Sequence, residues 1–412
     1  MAQLWKKDAP IISSLLETDV YKLLMLNYIF RYYTNLRATF SFINRTDVDL
    51  LKYIDIEQLR AELAHVATLR FSEDEISYLM SWGMFQTGFP ENLRNLKLEV
   101  PKVTKTADGK LSVVAGGLWS HSTLWEIYTL SIVAELYGRG KAKAEGYAET
   151  QLYDSGMGRL LAKVDFLTAH GELRGSQFAL RRRFSGLWEQ EMTETLLEKT
   201  NFMTGVSNVR LARDLGVEAQ GTNAHELPMA AYAYARGKSN FDARNSIYQT
   251  LVDWQELNGQ RALIMLSDTF GTDAFLAKLP DRFAYDWRGF RQDSGDPIAF
   301  GEKVIKFYQG YGINPAEKLI IFSDGLNMQK MFDIYSHFAG RIQVAFGIGT
   351  NLSNDFGLIS PLSLVMKLCE VNGLPTVKLS DNVVKATGDA DEVAVAKRIF
   401  GYETTFSEQV VY

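Results

Sequence analysis

The apolar and polar positions of the chain follow two patterns, and the change comes near residue 160. Before that point, residues 18–33 place apolar side chains at helical spacing, and residues 38–44 alternate apolar and polar side chains as a strand does. Residues 97–114 hold two further strand patterns around a turn at Asp108-Gly109. This part of the chain is therefore predicted to combine helices with antiparallel sheet.

After residue 160, short apolar runs alternate with longer helical stretches, and each apolar run ends in glycine or polar residues. The run ends are Ser267-Asp268, Arg291-Gln292-Asp293-Ser294, Ser323-Asp324-Gly325 and Gly347-Ile348-Gly349-Thr350. This pattern is typical of a parallel α/β barrel, whose chemistry gathers at the carboxyl ends of its strands. A doubly wound open sheet gives a similar pattern and stays the alternative.

A lone histidine stands at another turn of this kind, in the stretch 221–226. Gly221 lets the backbone bend, and Thr222 and Asn223 suit the N-cap of a following helix. The imidazole of His225 is able to accept a proton or a phosphoryl group near neutral pH. A polar side chain satisfied at a helix start is the alternative interpretation. The interpretation of His225 as a reactive group is favoured because several polar turns follow similar apolar runs.

Length and composition narrow the classes of protein. At 412 residues, the chain predicts two domains or one barrel with additions. A net charge of −5 gives no reason to expect nucleic acid or an anionic membrane surface as a partner. No apolar run approaches the roughly 20 residues of a membrane span. The single cysteine, Cys369, excludes an internal disulfide and fits a reducing compartment.

Three turn motifs and one basic cluster carry candidate chemistry beside the histidine. In the run 291–297, Asp293 could hold Mg²⁺ or grip ribose, and Arg291 could pair with a carboxylate or phosphate. The runs 323–325 and 347–350 look like phosphate cradles, since glycine allows close approach of the backbone. Each motif alone also fits an ordinary tight turn. The basic cluster 181–183 could serve a polyanionic ligand or lie on a solvated face.

Seven segments in order along the chain together resemble nicotinate phosphoribosyltransferases. They are ETDVYKLLM (17–25), FALRRRFS (178–185), GVSNVRLA (205–212), GTNAHE (221–226), RQDSGDP (291–297), FSDGLN (322–327) and FGIGTN (346–351). Two departures from the family pattern, at Ala179-Leu180 and at Val206, concern loops near the base pocket. The resemblance implies an irregular α/β barrel at 141–369. It also implies a second α/β domain at 1–140, which the C-terminal segment 370–412 joins.

The resemblance implies transfer of phosphoribose from phosphoribosyl diphosphate to nicotinate, which gives nicotinate mononucleotide and diphosphate in NAD biosynthesis. The reaction is coupled to ATP through a phosphohistidine that maps onto His225. Asp268 and Asp293 are expected to stabilise positive charge on the ribose carbon or to anchor ribose. Mg²⁺, expected at Asp293, neutralises the leaving diphosphate.

The binding residues follow from the same resemblance. Tyr21 and Phe178 are expected to enclose the nicotinate ring, with Arg291 and Thr222 on its carboxylate. The residues expected to bind phosphoribosyl diphosphate are Arg181, Ser294, Ser323, Asp324, Gly325, Gly347, Gly349 and Thr350. A cytoplasmic homodimer, with active sites at the subunit boundary, is expected.

Other functions stay open on the sequence. A nicotinamide-using relative places an acidic residue near the position of Ser207, and the absence of a carboxylate there favours nicotinate. A glycoside hydrolase with paired carboxylates would not need phosphate cradles or a histidine nucleophile. A non-catalytic phosphoribose-binding regulator would keep the run 347–350 but would not need His225 beside Glu226.

Overall fold

The computed structural model describes residues 3–259 and 262–408, in which helices and both kinds of sheet alternate. In chain order, the elements are α1 (Val20–Tyr32), β1 (Arg37–Asn44), α2 (Ile56–Thr68), α3 (Glu73–Met80), α4 (Phe89–Asn95), β2 (Lys102–Lys105), β3 (Leu111–Leu118), α5 (Trp119–Ser122), α6 (Trp125–Glu145), α7 (Glu149–Ala169), β4 (Gly175–Gln177), α8 (Gly186–Lys199), β5 (Met203–Val206) and α9 (Val209–Leu215). They continue with α10 (Glu226–Arg236), α11 (Asn240–Asn258), β6 (Ile264–Leu266), α12 (Thr272–Leu276), α13 (Arg282–Asp286), β7 (Gly289–Gln292), α14 (Pro297–Gly310), β8 (Leu319–Phe322), α15 (Met328–Phe338), β9 (Gln343–Ile348), α16 (Thr350–Ser353), β10 (Leu364–Val371), β11 (Leu374–Pro375) and α17 (Ala390–Phe400).

The chain divides into two compact units. The first unit contains the chain up to Gly221 together with Ile348–Lys367, and the second contains Thr222–Gly347 and the chain from Leu368 onward. The domain boundaries implied by the sequence, near residues 140 and 369, remain a prediction. Within residues 3–259 and 262–408, no helix has the length and apolar content needed to cross a membrane.

The first unit contains an antiparallel sheet in which β3 pairs with both β1 and β2. Alternate residues of these strands, among them Phe40 and Ala115, are buried. This is the period of a sheet with one face against a core. The helix α6, whose first half is the apolar stretch 125–137, is buried along most of its length. The same unit contains the parallel pair β4–β5.

In the second unit, β6, β7, β8 and β9 pair as parallel neighbours in chain order. Their side chains are largely buried, as expected of parallel strands. Gly289 begins β7 where no side chain fits, because a Cβ atom there would lie 1.7 Å from the carbonyl oxygen of Leu319 on β8. The pairing brings the carboxyl ends of these strands to one edge, which places Asp268, Asp293 and Ser323 close together.

The predicted α/β class, with antiparallel and parallel sheet, is confirmed. The helix predicted over 18–33 is α1, and the strand predicted over 38–44 is β1. The expectation that Thr222 and Asn223 cap a helix is wrong. The helix α10 begins at Glu226, so its N-cap residue is His225. The hydroxyl of Thr222 instead accepts a hydrogen bond from Arg291.

The alternating apolar and polar residues of the segment 377–381 predict a strand, and this prediction is also wrong. The backbone of Lys378 forms an isolated bridge with Thr387, and Ser380 adopts a φ of 67° that a strand does not allow. The polar side chains of this segment are turned to specific partners, which its alternating sequence does not reveal.

Buried ion pairs connect distant parts of the first unit. Arg183, which belongs to the basic cluster 181–183, has 1% of its side chain exposed. Its Nη2 atom lies 2.6 Å from Glu17 and its Nη1 atom lies 2.7 Å from Glu189. Burial acts to raise the pKa of Glu189, and Arg183 opposes this effect. At this position the basic cluster is therefore part of the core rather than a solvated face.

We expect Arg183→Met to lower the free energy of unfolding by about 3–5 kcal/mol, because it removes the cation of the buried Glu189 and leaves the buried Glu17 with the more distant Arg210 at 3.4 Å. Urea unfolding followed by circular dichroism measures the change. Arg94→Met is the control, since its pair with Glu73 is exposed, and we expect no measurable shift of the midpoint. Equal effects of the two substitutions would contradict a special role for burial.

Candidate active site

His225 directly precedes α10, and its side chain is buried in the second unit. Its Nδ1 atom lies 2.9 Å from the hydroxyl of Thr269, and its Nε2 atom lies 2.9 Å from Oδ2 of Asp293. Thr269 follows β6 and Asp293 follows β7, and these two strands are parallel neighbours. The strand ends therefore fix the imidazole through both of its nitrogen atoms.

Two more charged groups lie beside Nε2. The Nζ atom of Lys378 is 2.9 Å from Nε2, and it is 3.5 Å from Oδ2 of Asp268. The other carboxylate oxygen of Asp268 lies 3.5 Å from Nε2. Lys378 and Asp268 are both buried, so this ion pair is shielded from solvent.

Arg291 connects three turns of the second unit. Its guanidinium donates hydrogen bonds to the hydroxyl of Ser323 at 2.9 Å, to the hydroxyl of Thr222 at 2.8 Å and to Oδ1 of Asp293 at 2.8 Å. The carboxylate of Asp293 is thus held by Arg291 on one oxygen while the other oxygen faces His225. The predicted partners Thr222, Arg291 and Asp293 lie together, although their binding roles remain predictions.

The predicted phosphate-binding residues of the second unit also have defined partners. The hydroxyl of Ser294 donates to Asp268 at 2.5 Å and accepts the backbone N–H of Asp381 at 3.0 Å. Asp324 lies 2.5 Å from Nζ of Lys385, which also donates to the backbone oxygen of Asp293 at 2.9 Å. Gly325 has a positive φ of 55°, and Gly347 lies in β9.

Burial and neighbouring charges set the protonation of the site. Burial lowers the pKa of His225 to about 4; Asp268 and Asp293 oppose this effect, and Lys378 adds to it. Burial also acts against ionisation of Asp293, but Arg291 and His225 outweigh it and hold the pKa of Asp293 well below its ordinary value. At neutral pH the site therefore contains an uncharged imidazole beside an ionised carboxylate.

The remaining predicted residues lie in the first unit. The guanidinium carbon of Arg181 is 5.7 Å from the centre of the Tyr21 ring, and Arg181 forms ion pairs with Asp19 at 3.3 Å and Glu126 at 2.9 Å. Lys22, fully buried, lies 2.8 Å from Glu126. Tyr21 and Arg181 thus stand in one cluster of paired charges.

Phe178 lies beside the turn that contains Gly349 and Thr350. Its backbone N–H donates to the oxygen of Ile348 at 2.8 Å. A Cβ atom on Gly349 would lie 2.9 Å from the backbone oxygen of Phe178, and the hydroxyl of Thr350 accepts from Arg182 at 3.4 Å. The first unit therefore brings these predicted residues together, and their roles remain predictions.

Ser207 has a carboxylate beside it, contrary to the expectation from the sequence. The hydroxyl of Ser207 donates to Oδ1 of Asp19 at 2.6 Å, so a carboxylate does lie at this position, supplied by a distant segment. Burial raises the pKa of Asp19, and the nearby guanidinium of Arg181 opposes this. The choice between nicotinate and nicotinamide consequently cannot be read from Ser207 alone.

Sequence reasoning missed Thr269, Lys378, Lys385 and Asp381. The signal for Thr269 is its place directly after Asp268 at a strand end. The other three lie in the segment 378–385, whose lysines and aspartate are polar residues spaced as in a turn. Nothing local in that segment indicates His225 as its partner.

Polar side chains at the ends of parallel strands, with a buried imidazole among them, define an α/β enzyme site. The sequence matches the model of the nicotinate phosphoribosyltransferase (NAPRTase) family over residues 173–404 and the model of the N-terminal domain of that family over residues 16–134. The chain therefore belongs to the nicotinate phosphoribosyltransferase family.

Solved structures agree with this membership. The chain is 31% identical to a nicotinate phosphoribosyltransferase from Vibrio cholerae, with a TM-score of 0.87 over 96% of this chain and 95% of that one. It is 30% identical to a nicotinate phosphoribosyltransferase from Porphyromonas gingivalis, with a TM-score of 0.84 over 95% of this chain and 100% of that one.

The depressed pKa of His225 predicts a pH dependence of stability. Between pH 6.5 and about 4 the unfolded chain binds a proton at this residue and the folded chain does not, so stability falls as pH falls. Relative to His225→Asn, we expect the wild type to lose about 2 kcal/mol between pH 7.5 and pH 5. Urea unfolding at both pH values measures this, with His65→Asn as the control. A difference between wild type and His225→Asn that does not change with pH would contradict the prediction.

Proposed function

We propose that the chain couples phosphoribosyl transfer to ATP hydrolysis through phosphorylation of His225. As a member of its family, the chain is an enzyme that transfers phosphoribose to nicotinate in NAD biosynthesis. The observation that supports the phosphorylation is the buried imidazole, uncharged at neutral pH and bound at Nε2 to the carboxylate of Asp293. An uncharged ring that donates Nε2–H to a carboxylate keeps the lone pair of Nδ1 for nucleophilic attack.

In the phosphoryl step, Nε2–H donates to Asp293 and the lone pair of Nδ1 attacks the γ-phosphorus of ATP. The bond from that phosphorus to the bridging oxygen breaks, and ADP leaves with the electron pair. The ring then carries a positive charge, which Asp293 stabilises. The hydroxyl of Thr269, 2.9 Å from Nδ1, has to rotate away before the attack.

The site also fits Mg²⁺, which prefers carboxylate oxygens. Ligand atoms of His225, Asp268 and Asp293 lie within 4.8 Å of one another. Oδ1 of Asp268 is buried and has no hydrogen-bond partner among the residues described. In the phosphoryl step Nε2, the ring nitrogen beside the two carboxylates, carries a proton and so cannot bind a metal ion, which leaves Asp268 and Asp293 as the proposed ligands. Mg²⁺ would neutralise the charge of the leaving diphosphate.

The carboxylates have a second use in the transfer step. Breaking the bond from ribose to diphosphate leaves positive character on the ribose carbon, which Asp268 or Asp293 can stabilise. Arg291 and Thr222 are 2.8 Å apart, so both can bind one carboxylate of nicotinate. The products are nicotinate mononucleotide and diphosphate.

Phosphorylation predicts that γ-labelled ATP transfers an acid-labile, base-stable label to the chain and that His225→Asn abolishes it. His337→Asn, which changes an exposed histidine of the same unit, serves as the control and should keep the label. Formation of nicotinate mononucleotide is measured in the same samples.

The label and the nucleotide product together show which part of the proposal fails, if one does. Nucleotide without label would refute the phosphohistidine and leave the transferase activity intact. Binding of phosphoribosyl diphosphate with neither label nor nucleotide would favour the non-catalytic regulator.

Substrate choice gives a further prediction. We expect Arg291→Lys to lower kcat/KM for nicotinate about tenfold to a hundredfold, because a lysine cannot make the same paired hydrogen bonds to a carboxylate. Initial rates with nicotinate and with nicotinamide measure the effect, and the loss should be smaller for nicotinamide. Arg288→Lys, at an exposed arginine before β7, is the control. An equal loss with both substrates would argue against a contact from Arg291 to the nicotinate carboxylate.

The proposal includes a cytoplasmic homodimer, as the sequence resemblance implies. The single cysteine, Cys369, supports a reducing compartment.

A further inference from the structure

Lys378 contacts His225, yet the phosphoryl step described above gives it no part. Its side chain is buried, and its Nζ atom lies 2.9 Å from Nε2. The backbone of this segment is fixed, since Lys378 exchanges two hydrogen bonds of 2.9 Å with Thr387. The next residue, Leu379, donates its N–H to the backbone oxygen of Thr269 at 2.8 Å. The distance from the ammonium to the ring is therefore set by the fold.

The two close partners of Nε2 require different protonation states of this nitrogen. Asp293 offers only acceptor oxygens, so it needs a proton on Nε2, whereas the ammonium of Lys378 offers only donors and needs the lone pair. A neutral imidazole carries one N–H, so a single ring cannot satisfy both partners. The hydroxyl of Thr269 can accept from Nδ1 or donate to it, and does not decide between the two tautomers.

The other contacts of the two partners decide the tautomer. Oδ1 of Asp293 already accepts a charge-assisted hydrogen bond from Arg291 at 2.8 Å. The single proton of the Ser323 hydroxyl is shared between this oxygen, at 3.1 Å, and the backbone oxygen of Gln292, at 2.9 Å. Among the residues described, Nζ of Lys378 makes one hydrogen bond, which goes to Nε2. Its distance to Oδ2 of Asp268 is longer, at 3.5 Å. A buried ammonium without a hydrogen bond costs more than a carboxylate that keeps its hydrogen bond from Arg291, so we expect Nε2 to accept from Lys378.

We infer that Lys378 is a positioning residue that holds the resting ring of His225 in the tautomer with its proton on Nδ1. In this tautomer Nδ1–H donates to Thr269 and Nε2 accepts from Lys378, so neither nitrogen has a free lone pair. The consequence of this tautomer for catalysis rests on the proposed phosphorylation. Because Nδ1 carries the proton, the resting ring does not attack ATP.

Release requires a small movement and no net change of charge. When the ammonium leaves Nε2 for Asp268, Nε2 takes a proton from water and forms an N–H hydrogen bond to Asp293. Nδ1 loses its proton at the same time through exchange with water, and the ring stays neutral. The lone pair of Nδ1 is then free for the phosphoryl step, and Lys378 remains an ammonium throughout.

The test is the tautomer of His225 in the full chain labelled with ¹⁵N at its histidine rings. Nuclear magnetic resonance distinguishes a protonated from an unprotonated ring nitrogen, and His225→Asn identifies the signals among those of the five histidines. In the wild type without ATP, we expect Nδ1 to be protonated and Nε2 to be unprotonated. In Lys378→Met the proton should move to Nε2, while Lys306→Met, at an exposed lysine of α14, should leave the wild-type pattern.

Two results would overturn the inference: Nε2 already protonated in the wild type, or Nε2 unprotonated in both wild type and Lys378→Met. If Lys378→Met does not fold because Asp268 loses its cation, Asp268→Asn is compared with Asp268→Asn/Lys378→Met under the same two criteria. The ATP-labelling assay on the wild type runs in parallel. A tautomer as predicted with no label would refute the phosphohistidine and leave the role of Lys378 in place.

Discussion

Burial keeps the imidazole of His225 uncharged inside the second unit, and it can do so only while the charges around the ring are balanced. Asp268 and Asp293 supply two carboxylates, and Lys378 and Arg291 supply two cations within hydrogen-bonding or ion-pair distance of them. An unbalanced carboxylate would favour a protonated ring, and an unbalanced cation would be costly to bury. The neutral ring, and with it any nucleophilic chemistry of His225, therefore depends on ion pairs that do not themselves react.

These charged residues come from two parts of the chain, the ends of the parallel strands and the C-terminal segment. Parallel pairing of β6, β7 and β8 brings Asp268, Arg291 and Ser323 to one edge, since the carboxyl ends of parallel strands meet there. Lys378 arrives from the C-terminal segment, which is anchored where Asp381 accepts the N–H of Thr272 at 2.8 Å and gives its own N–H to Ser294. The strands thus supply the acidic groups and the arginine, and the segment supplies the lysine that balances them.

The difference between the strand ends and the returning C-terminal segment explains which site residues could be predicted from the sequence. Periodicity is a local property, so α1, β1 and the strand-end turns could be predicted, and with them Asp268, Arg291 and Asp293. Lys378 is 153 residues from His225, and Asp19 is 188 residues from Ser207. Contacts of this kind depend on how the chain returns to a site, which no local pattern encodes. The cap of α10 was misjudged for a related reason, because a distant arginine uses the hydroxyl of Thr222.

Charge balance also constrains how an anionic substrate enters the second unit. Arg291, Lys378 and Lys385 are each paired with a carboxylate, namely Asp293, Asp268 and Asp324. A phosphate that binds to one of these cations takes it from its partner and leaves that carboxylate buried and uncompensated. A divalent cation on the carboxylates removes this cost, since it replaces the departing lysine or arginine. The ion pairs therefore support the proposal that Mg²⁺ binds together with phosphate.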